Sequence, residues 1–217
     1  MNIEQARYNM VEQQIRPAEV LDAEVLEVLM TIRREQFVPP ERRALAFAET
    51  GIPLGHGAAM LPPAIEGKVL QAVQIRKSDK VLEVGTGSGH MAALLGARAD
   101  RVYSVEIVPE LAASARENLR RAAADNVTVE VGDGVCGWPA HAPYDVIVLS
   151  GAVPAIPDAL PLQLKVGGRL LAFVGEPPLV QARLVTCSAE GCFRTVNLFE
   201  TGVPPLCNAP QPDRFVF

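Results

Sequence analysis

The chain has 217 residues, 49% of them hydrophobic, and a formal net charge of −5, enough apolar material for one globular domain with its own core. The acidic balance and the lack of a basic block argue against nucleic acid as a partner. No apolar run is long enough to span a bilayer and the first residues carry no export signal, so a cytoplasmic protein with no membrane partner is expected.

Asn2 and Gln5 are spaced as a capping box, and Ile3, Ala6, Met10 and Gln14 recur near helical spacing, so the chain should open on a helix that Pro17 ends. Leu21, Val25, Val28, Leu29 and Ile32 predict a second helix with a core-facing stripe, stopped by Pro39-Pro40. Neither helix is required by a nucleotide-binding core, so both read as an extension that packs on it or over the substrate. Residues 52–63 are too rich in Gly and Pro for a helix and read as a loop with room for a short extended piece. Pro62-Pro63 then opens a helix with Ile65, Val69, Ala72 and Val73 on one face.

The centre of the sequence is the run from Val81 to Gly89. A buried strand ending in Leu82-Glu83-Val84 enters Gly85-Thr86-Gly87-Ser88-Gly89, and a helix begins at His90. A strand, a glycine-rich turn and a helix N-terminus together form a nucleotide-type site. The glycines fall as G-x-G-x-G with an acid two residues earlier, unlike the G-x-G-x-x-G of dinucleotide enzymes. The pattern resembles the signature of class I S-adenosylmethionine (SAM) methyltransferases. A second strand, 101–105, ends at Glu106 and Ile107, about 20 residues beyond the first glycine, where an acid can accept from ribose hydroxyls. A third, 127–131, ends in Gly132-Asp133-Gly134, where Asp133 can accept from an adenine amino group.

Pro109 starts the next helix, and residues 144–149 form a fourth strand with Ser150 just after it at the carboxyl edge. Residues 157–164 read as a short helix, and Gly167-Gly168 turns into a fifth strand over 169–174. The order then changes: 179–187 and 192–200 are two strands joined by a hairpin-length turn. The tail, 203–217, reads as extended over the body, with Phe215 and Phe217 as anchors. The expected fold is α/β. It is a Rossmann-like, mostly parallel sheet closed by an antiparallel C-terminal hairpin and preceded by an N-terminal helical extension. One domain is expected, with helices and substrate loop in 1–77, core in 78–200 and tail in 201–217.

The cysteines, Cys136, Cys187, Cys192 and Cys207, form no C-x-x-C pair, and no histidine is spaced to complete a metal site with them. No metal is expected and all four read as reduced thiols, although Cys187 and Cys192 flank a turn that can set them face to face.

Three segments carry a more specific likeness. Met10-Val11-Glu12-Gln13-Gln14-Ile15-Arg16, Arg34-Glu35-Gln36-Phe37-Val38-Pro39 and Ile52-Pro53-Leu54-Gly55-His56-Gly57, followed in order by the SAM-type motifs, Ala142-Pro143-Tyr144-Asp145 and Gly167-Gly168-Arg169-Leu170, resemble the protein-L-isoaspartate O-methyltransferase family. The resemblance implies a SAM-dependent enzyme, with S-adenosylhomocysteine as product. Its acceptor is the free carboxylate of isoaspartyl residues in damaged proteins or peptides, and methylation starts their repair. It implies cofactor contacts from Glu83, Gly85, Thr86, Gly87, Ser88, Gly89, Glu106, Ile107, Gly132, Asp133, Gly134 and Ser150. On the acceptor side it points to His56, the Gly57 backbone, and the loop Ala59, Met60 and Leu61. That loop departs from the family: its Gln-Thr-Ile-Ser-Gln-Pro becomes Ala58-Ala59-Met60-Leu61-Pro62-Pro63, so both hydroxyls are gone. The aromatic often found after the glycine turn is His90. A changed acceptor and a non-catalytic SAM binder stay open at this point, and a dinucleotide dehydrogenase is disfavoured by the glycine spacing.

Overall fold

A computed structural model of the chain describes residues 2–176 and 179–209. The first helix, α1 (Ile3–Met10), is capped by the Asn2 side chain, which accepts from the Gln5 N–H at 3.3 Å. It continues without a break through a π-helical turn (Val11–Ile15) and a 3₁₀ turn (Arg16–Ala18). The wider turn shifts the buried side from Met10 and Val11 to Ile15. Arg7 is buried on this helix and pairs with Glu35 at 2.5 Å, tying the helix to the segment after α2 (Ala23–Thr31).

Two features of the second helix differ from expectation. Leu21 is 69% exposed and not core, because the helix starts only after Asp22, whose carboxylate accepts from the N–H groups of Glu24 and Val25. Leu21 thus lies outside the helical period. The helix also ends at Thr31, well before the prolines. Thr31 and Ile32 are β-branched and poor helix formers, and the Thr31 hydroxyl bonds back to the Glu27 carbonyl at 2.8 Å. A 3₁₀ turn (Arg34–Gln36) follows and sends Arg34 inward.

Residues 52–60 are a β-hairpin and not a loop: β1 (Ile52–Gly55) pairs with β2 (Ala58–Met60). Gly55 opposes Ala58, which leaves His56-Gly57 as a two-residue turn with both φ values positive, the hand that suits a hairpin. Then come α3 (Pro63–Val73), β3 (Lys80–Val84), α4 (His90–Gly96), β4 (Arg101–Glu106), α5 (Pro109–Arg121), β5 (Val127–Val131), β6 (Tyr144–Val153), β7 (Leu164–Glu176), β8 (Leu179–Ala189) and β9 (Cys192–Thr201). The last seven strands form one sheet in the order β5-β4-β3-β6-β7-β8-β9. It is parallel from β5 to β7 and antiparallel from β7 to β9. This is the expected Rossmann-like sheet with its hairpin. The chain returns to opposite sides of β3 through β4 and β6, which opens a crevice at the carboxyl ends of the strands.

Alternate residues of the buried strands enter two cores. On β6, Val146 and Val148 face one side and Ile147 and Leu149 the other. Helices α3, α4 and α5 and the N-terminal extension cover the first side. Among the described residues, no α-helix contributes to the second core, which irregular segments fill with Val135, Trp138, Ile156 and Leu160. The helix expected over 157–164 is accordingly a turn and a short 3₁₀ piece (Pro161–Gln163). Cys187 opposes Phe193, and Cys192 opposes Ala189, so the two cysteines do not face each other. All four are free thiols. Phe215 and Phe217 lie outside the described residues, but the tail up to Ala209 is tied to the end of β6 by a parallel bridge between Pro205 and Ala152. Leu206 N–H donates to the Ala152 carbonyl at 2.8 Å, and Ala152 N–H to the Pro204 carbonyl at 2.9 Å.

Candidate functional site

The carboxyl ends of β3, β4, β5 and β6 open into a cleft of about 660 Å³, counting its open mouth. Of the residues singled out from sequence, His56, Gly57, Ala59, Gly85, Gly87, Glu106, Ile107, Gly132, Asp133, Gly134 and Ser150 line it. Others do not. Glu83, Thr86 and Ser88 are buried with side chains bonded inside the protein, and Gly89 is the N-cap of α4, pressed against Ala115 and Leu119 of α5. Met60 and Leu61 are buried core residues, so of the acceptor triplet only Ala59 reaches the cleft. Ser150 lies within β6, where the pairing with β7 shifts register between Val148 and Ala152.

Each carboxylate at the cleft has a defined place. Glu106 Oε2 accepts from the Gly87 N–H at 2.7 Å and Oε1 from the Val108 N–H at 3.1 Å, so the end of β4 braces the glycine turn. Asp133 Oδ1 accepts from the Val135 N–H at 3.1 Å, closing an Asx turn, and Oδ2 accepts from the Asn208 amide at 3.2 Å. Each carboxylate oxygen keeps lone-pair capacity for a ligand. Beneath them, a Cβ on Gly132 would come within 2.6 Å of the Trp138 ring, so only glycine lets that ring support the floor.

Sequence reasoning missed two groups. The tail residues Pro204, Pro205, Leu206 and Cys207 form one wall, and Leu206 lies against Gly85 and Gly151. A proline-rich segment without periodicity carries no sign of this placement. The second is a buried cluster of Arg34, Glu66 and His90 between the acceptor loop and the glycine turn. Arg34 falls in one of the family-like segments and His90 stands where an aromatic is expected, but nothing in the sequence brings either of them to Glu66.

Glu83 sits behind the turn in a chain of hydroxyls. Ser104 Oγ donates to Oε2 at 2.6 Å, Ser150 Oγ donates to Oε1 at 2.8 Å, and Thr86 Oγ1 contacts Ser104 Oγ at 2.6 Å. Burial pushes its carboxyl from 4.5 up to about 8, against the pull of the two serines. The native state therefore holds a proton there that the unfolded chain loses above 4.5. Stability falls as pH rises toward 8, by up to ~1.4 kcal/mol per pH unit. Glu83→Gln, which mimics the protonated acid, is expected to melt close to the parent near pH 5 and progressively above it toward pH 8. Thermal melts across that range check this, and parallel pH profiles for the two proteins would refute it.

A mostly parallel sheet with this strand order, a glycine turn at the central strand of its parallel part and acids at the next two strand ends define an S-adenosylmethionine-dependent methyltransferase of the Rossmann-like class. The match extends further. The chain belongs to the protein-L-isoaspartate(D-aspartate) O-methyltransferase family, whose profile matches residues 5–200. A protein-L-isoaspartate O-methyltransferase from Methanoculleus marisnigri is 43% identical over 88% of this chain and 87% of its own. One from Marinobacter nauticus, protein-L-isoaspartate O-methyltransferase 2, is 39% identical over 92% of both. The fold is also that of a Plasmodium falciparum protein described as a putative protein-L-isoaspartate O-methyltransferase in complex with S-adenosyl-L-homocysteine. That match has a TM-score of 0.79 and 17% identity, over 95% of this chain and 98% of that one.

Proposed function

We propose that the protein transfers the methyl group of SAM, leaving S-adenosylhomocysteine, to the side-chain-derived carboxylate of L-isoaspartyl residues in damaged proteins. The family match over residues 5–200 carries this reading. The cleft supports it. Its floor is backbone at Gly85 and Gly132, and a Cβ at either position would meet Leu206 or Trp138. Its walls are apolar at Val84, Val105 and Val135, and its acids sit at two neighbouring strand ends. Apolar walls with carboxylate acceptors at neighbouring strand ends suit a nucleoside with a cationic sulfur. Glu106 would take the ribose hydroxyls, Asp133 the adenine amino group, and the Gly85–Gly87 backbone with Ser150 the amino-acid end.

When bound, SAM supplies an electrophilic methyl on a sulfonium. The chain's own residues have little proton chemistry to do. A carboxylate acceptor with a pKa of ~3.9 is already anionic at neutral pH and needs no base. His56 is therefore read as a lip residue of the hairpin turn, exposed and set over the cleft mouth. The work that remains is alignment and exclusion of water, which falls to the β1–β2 hairpin on one side and the tail at Pro204–Leu206 on the other. The hydroxyls absent at Ala59 and Leu61 leave the backbone around Gly57 to receive the acceptor. The reaction calls for no metal. We read the partner as another polypeptide and the location as cytoplasmic; among the described residues no helix is long and apolar enough to cross a membrane. Residues 1–77, 78–200 and 201–217 are read as parts of one domain.

Labelled methyl should pass from SAM to an isoaspartyl peptide and not to the same peptide carrying normal aspartate. Tight SAM binding with no transfer to the isoaspartyl peptide would overturn this acceptor.

A further inference from the structure

Arg34 is 1% exposed, and its guanidinium is shared among three parts of the chain. Nε donates to the Ala46 carbonyl at 3.0 Å and Nη2 to the Leu61 carbonyl at 2.7 Å. Nη1 donates to Glu66 Oε2. The other oxygen of Glu66 lies 2.9 Å from His90 Nδ1. Burial pushes the Glu66 carboxyl up, but Arg34 and His90 outweigh it and hold the group below 4.5, so it is ionised. An ionised carboxylate needs a donor, so the shorter contact with Glu66 is a hydrogen bond with the proton on His90 Nδ1. The 3.2 Å approach of Arg34 Nη1, itself only a donor, to the same atom is then a contact and not a second hydrogen bond. His90 Nε2 is then left buried with no hydrogen-bond partner. An apolar ring would make the same edge contact with Phe37 (ring centroids 5.1 Å apart) without that cost. What histidine adds at this position is the bond to Glu66.

The placement gives that bond a use. Leu61 ends the acceptor loop, and Glu66 stands in the first turns of α3. His90 is the first residue of α4, directly after the glycine turn. The chain of bonds from the Leu61 carbonyl through Arg34 and Glu66 to His90 therefore joins the acceptor loop to the cofactor turn. Glu66 also walls a small pocket, about 270 Å³ counting its opening, that lies between Ala59, Met60 and Leu61 and the turn at Gly85–Gly87. In-line transfer depends on the spacing of those two segments. No hydroxyl at Ala59 or Leu61 orients the acceptor, so that spacing has to come from the backbone.

We infer that Glu66, held between Arg34 and His90, is a positioning residue for methyl transfer: it sets the acceptor loop against the cofactor turn. This rests on the isoaspartyl reading above. The test uses the full chain with an isoaspartyl peptide, and compares kcat, KM, SAM Kd by calorimetry, and Tm. His90→Phe keeps the ring, the Phe37 contact and the Arg34–Glu66 pair but loses the link. Its kcat should fall ~10-fold or more, with KM and SAM Kd within ~3-fold, because misplacement by a fraction of an ångström acts on the transfer step. His90→Asn, which can offer an N–H near the place of Nδ1, should recover much of that loss. Glu66→Gln should lower kcat in the same way. Val185→Ala, a buried change on β8 outside the cleft and the cluster, measures what lost stability alone does. If the parent methylates the peptide and His90→Phe keeps its kcat, or loses no more than Val185→Ala at equal Tm, the positioning role falls and the enzyme reading stands. If the parent binds SAM and leaves the peptide unmethylated, both fall.

Discussion

Gly85→Val is expected to weaken SAM binding by ~100-fold or more, equivalent to ~2.7 kcal/mol, while the protein stays folded. Gly85 has φ +94°, and its N–H donates to the Val105 carbonyl at 2.9 Å, so the residue cannot rotate away without breaking the link between β3 and β4. A β-branched side chain in that region costs about 1–3 kcal/mol. Its Cβ alone would lie 2.9 Å from Leu206 Cδ2 and 3.7 Å from Ser150 Cβ, and the two further methyls would occupy the cleft. Leu206 is the tip of a flexible side chain and can yield, but yielding shifts the wall that the tail supplies. The comparison is Gly191→Val, in the β8–β9 turn. There φ is +69° and a Cβ meets nothing within 4 Å. It carries the backbone strain without the cleft and should bind SAM as the parent does. Calorimetric Kd values with matched melting curves decide the point. If Gly85→Val kept parental affinity, the cofactor would not lie against this turn.

The parts of the site that could be read from the sequence are those set by local chemistry. A short apolar run that stops at Gly or an acid marks a strand end, and β3, β4 and β5 end where their sequences say they do. In a parallel sheet all such ends fall on one edge, so Gly85, Glu106 and Asp133 come together without further information. Side-chain direction was less legible. Within the turn, alternation sends Thr86 and Ser88 inward, where Thr86 meets Ser104 and Ser88 Oγ accepts from the His90 N–H at 3.3 Å. The sequence pattern alone treats all five turn residues alike.

The rest is set by contacts between residues far apart in the chain. Leu206 meets Gly85 across more than half the sequence, and nothing local in Val203-Pro204-Pro205 encodes that meeting. The path of the chain after α2 has a similar origin. Ile32 already takes extended dihedrals (φ −76°, ψ 114°). The chain thereby turns Arg34 inward, where the carbonyls of Ala46 and Leu61 and the carboxylate of Glu66 wait for it. Apolar periodicity cannot report a buried arginine, because its stripe registers only hydrophobic residues. The hairpin at 52–60 was obscured by its own turn chemistry, since Gly55-His56-Gly57 reads as loop although the primed turn requires residues of that kind.

Arg34→Ala should be the most destabilising single change of those considered, costing about 3–5 kcal/mol, because removing one partner of a buried pair strands the other's charge. Three groups lose a donor at once: Oε2 of the Glu66 carboxylate and the carbonyls of Ala46 and Leu61. For a chain of this size the expected fall in Tm is on the order of 10 °C. Replacing the cluster together, as Arg34→Met with Glu66→Leu and His90→Phe, should cost less than Arg34→Ala alone, since no charge is then left without a partner. The pH dependence separates charge from packing. In the parent, the Glu66 carboxyl is held below 4.5, so its contribution to stability is present above 4.5 and is lost as pH falls through the folded value. In Arg34→Ala the burial remains and the cation is gone. Glu66 then favours its proton, and acid relieves the variant. The gap in stability between parent and variant should therefore be widest near neutral pH and narrow toward about pH 4. Denaturant unfolding at several pH values measures it. A gap that stays constant over that range would mean that Arg34 stabilises the protein by filling space and bonding two carbonyls, with its charge opposite Glu66 contributing nothing.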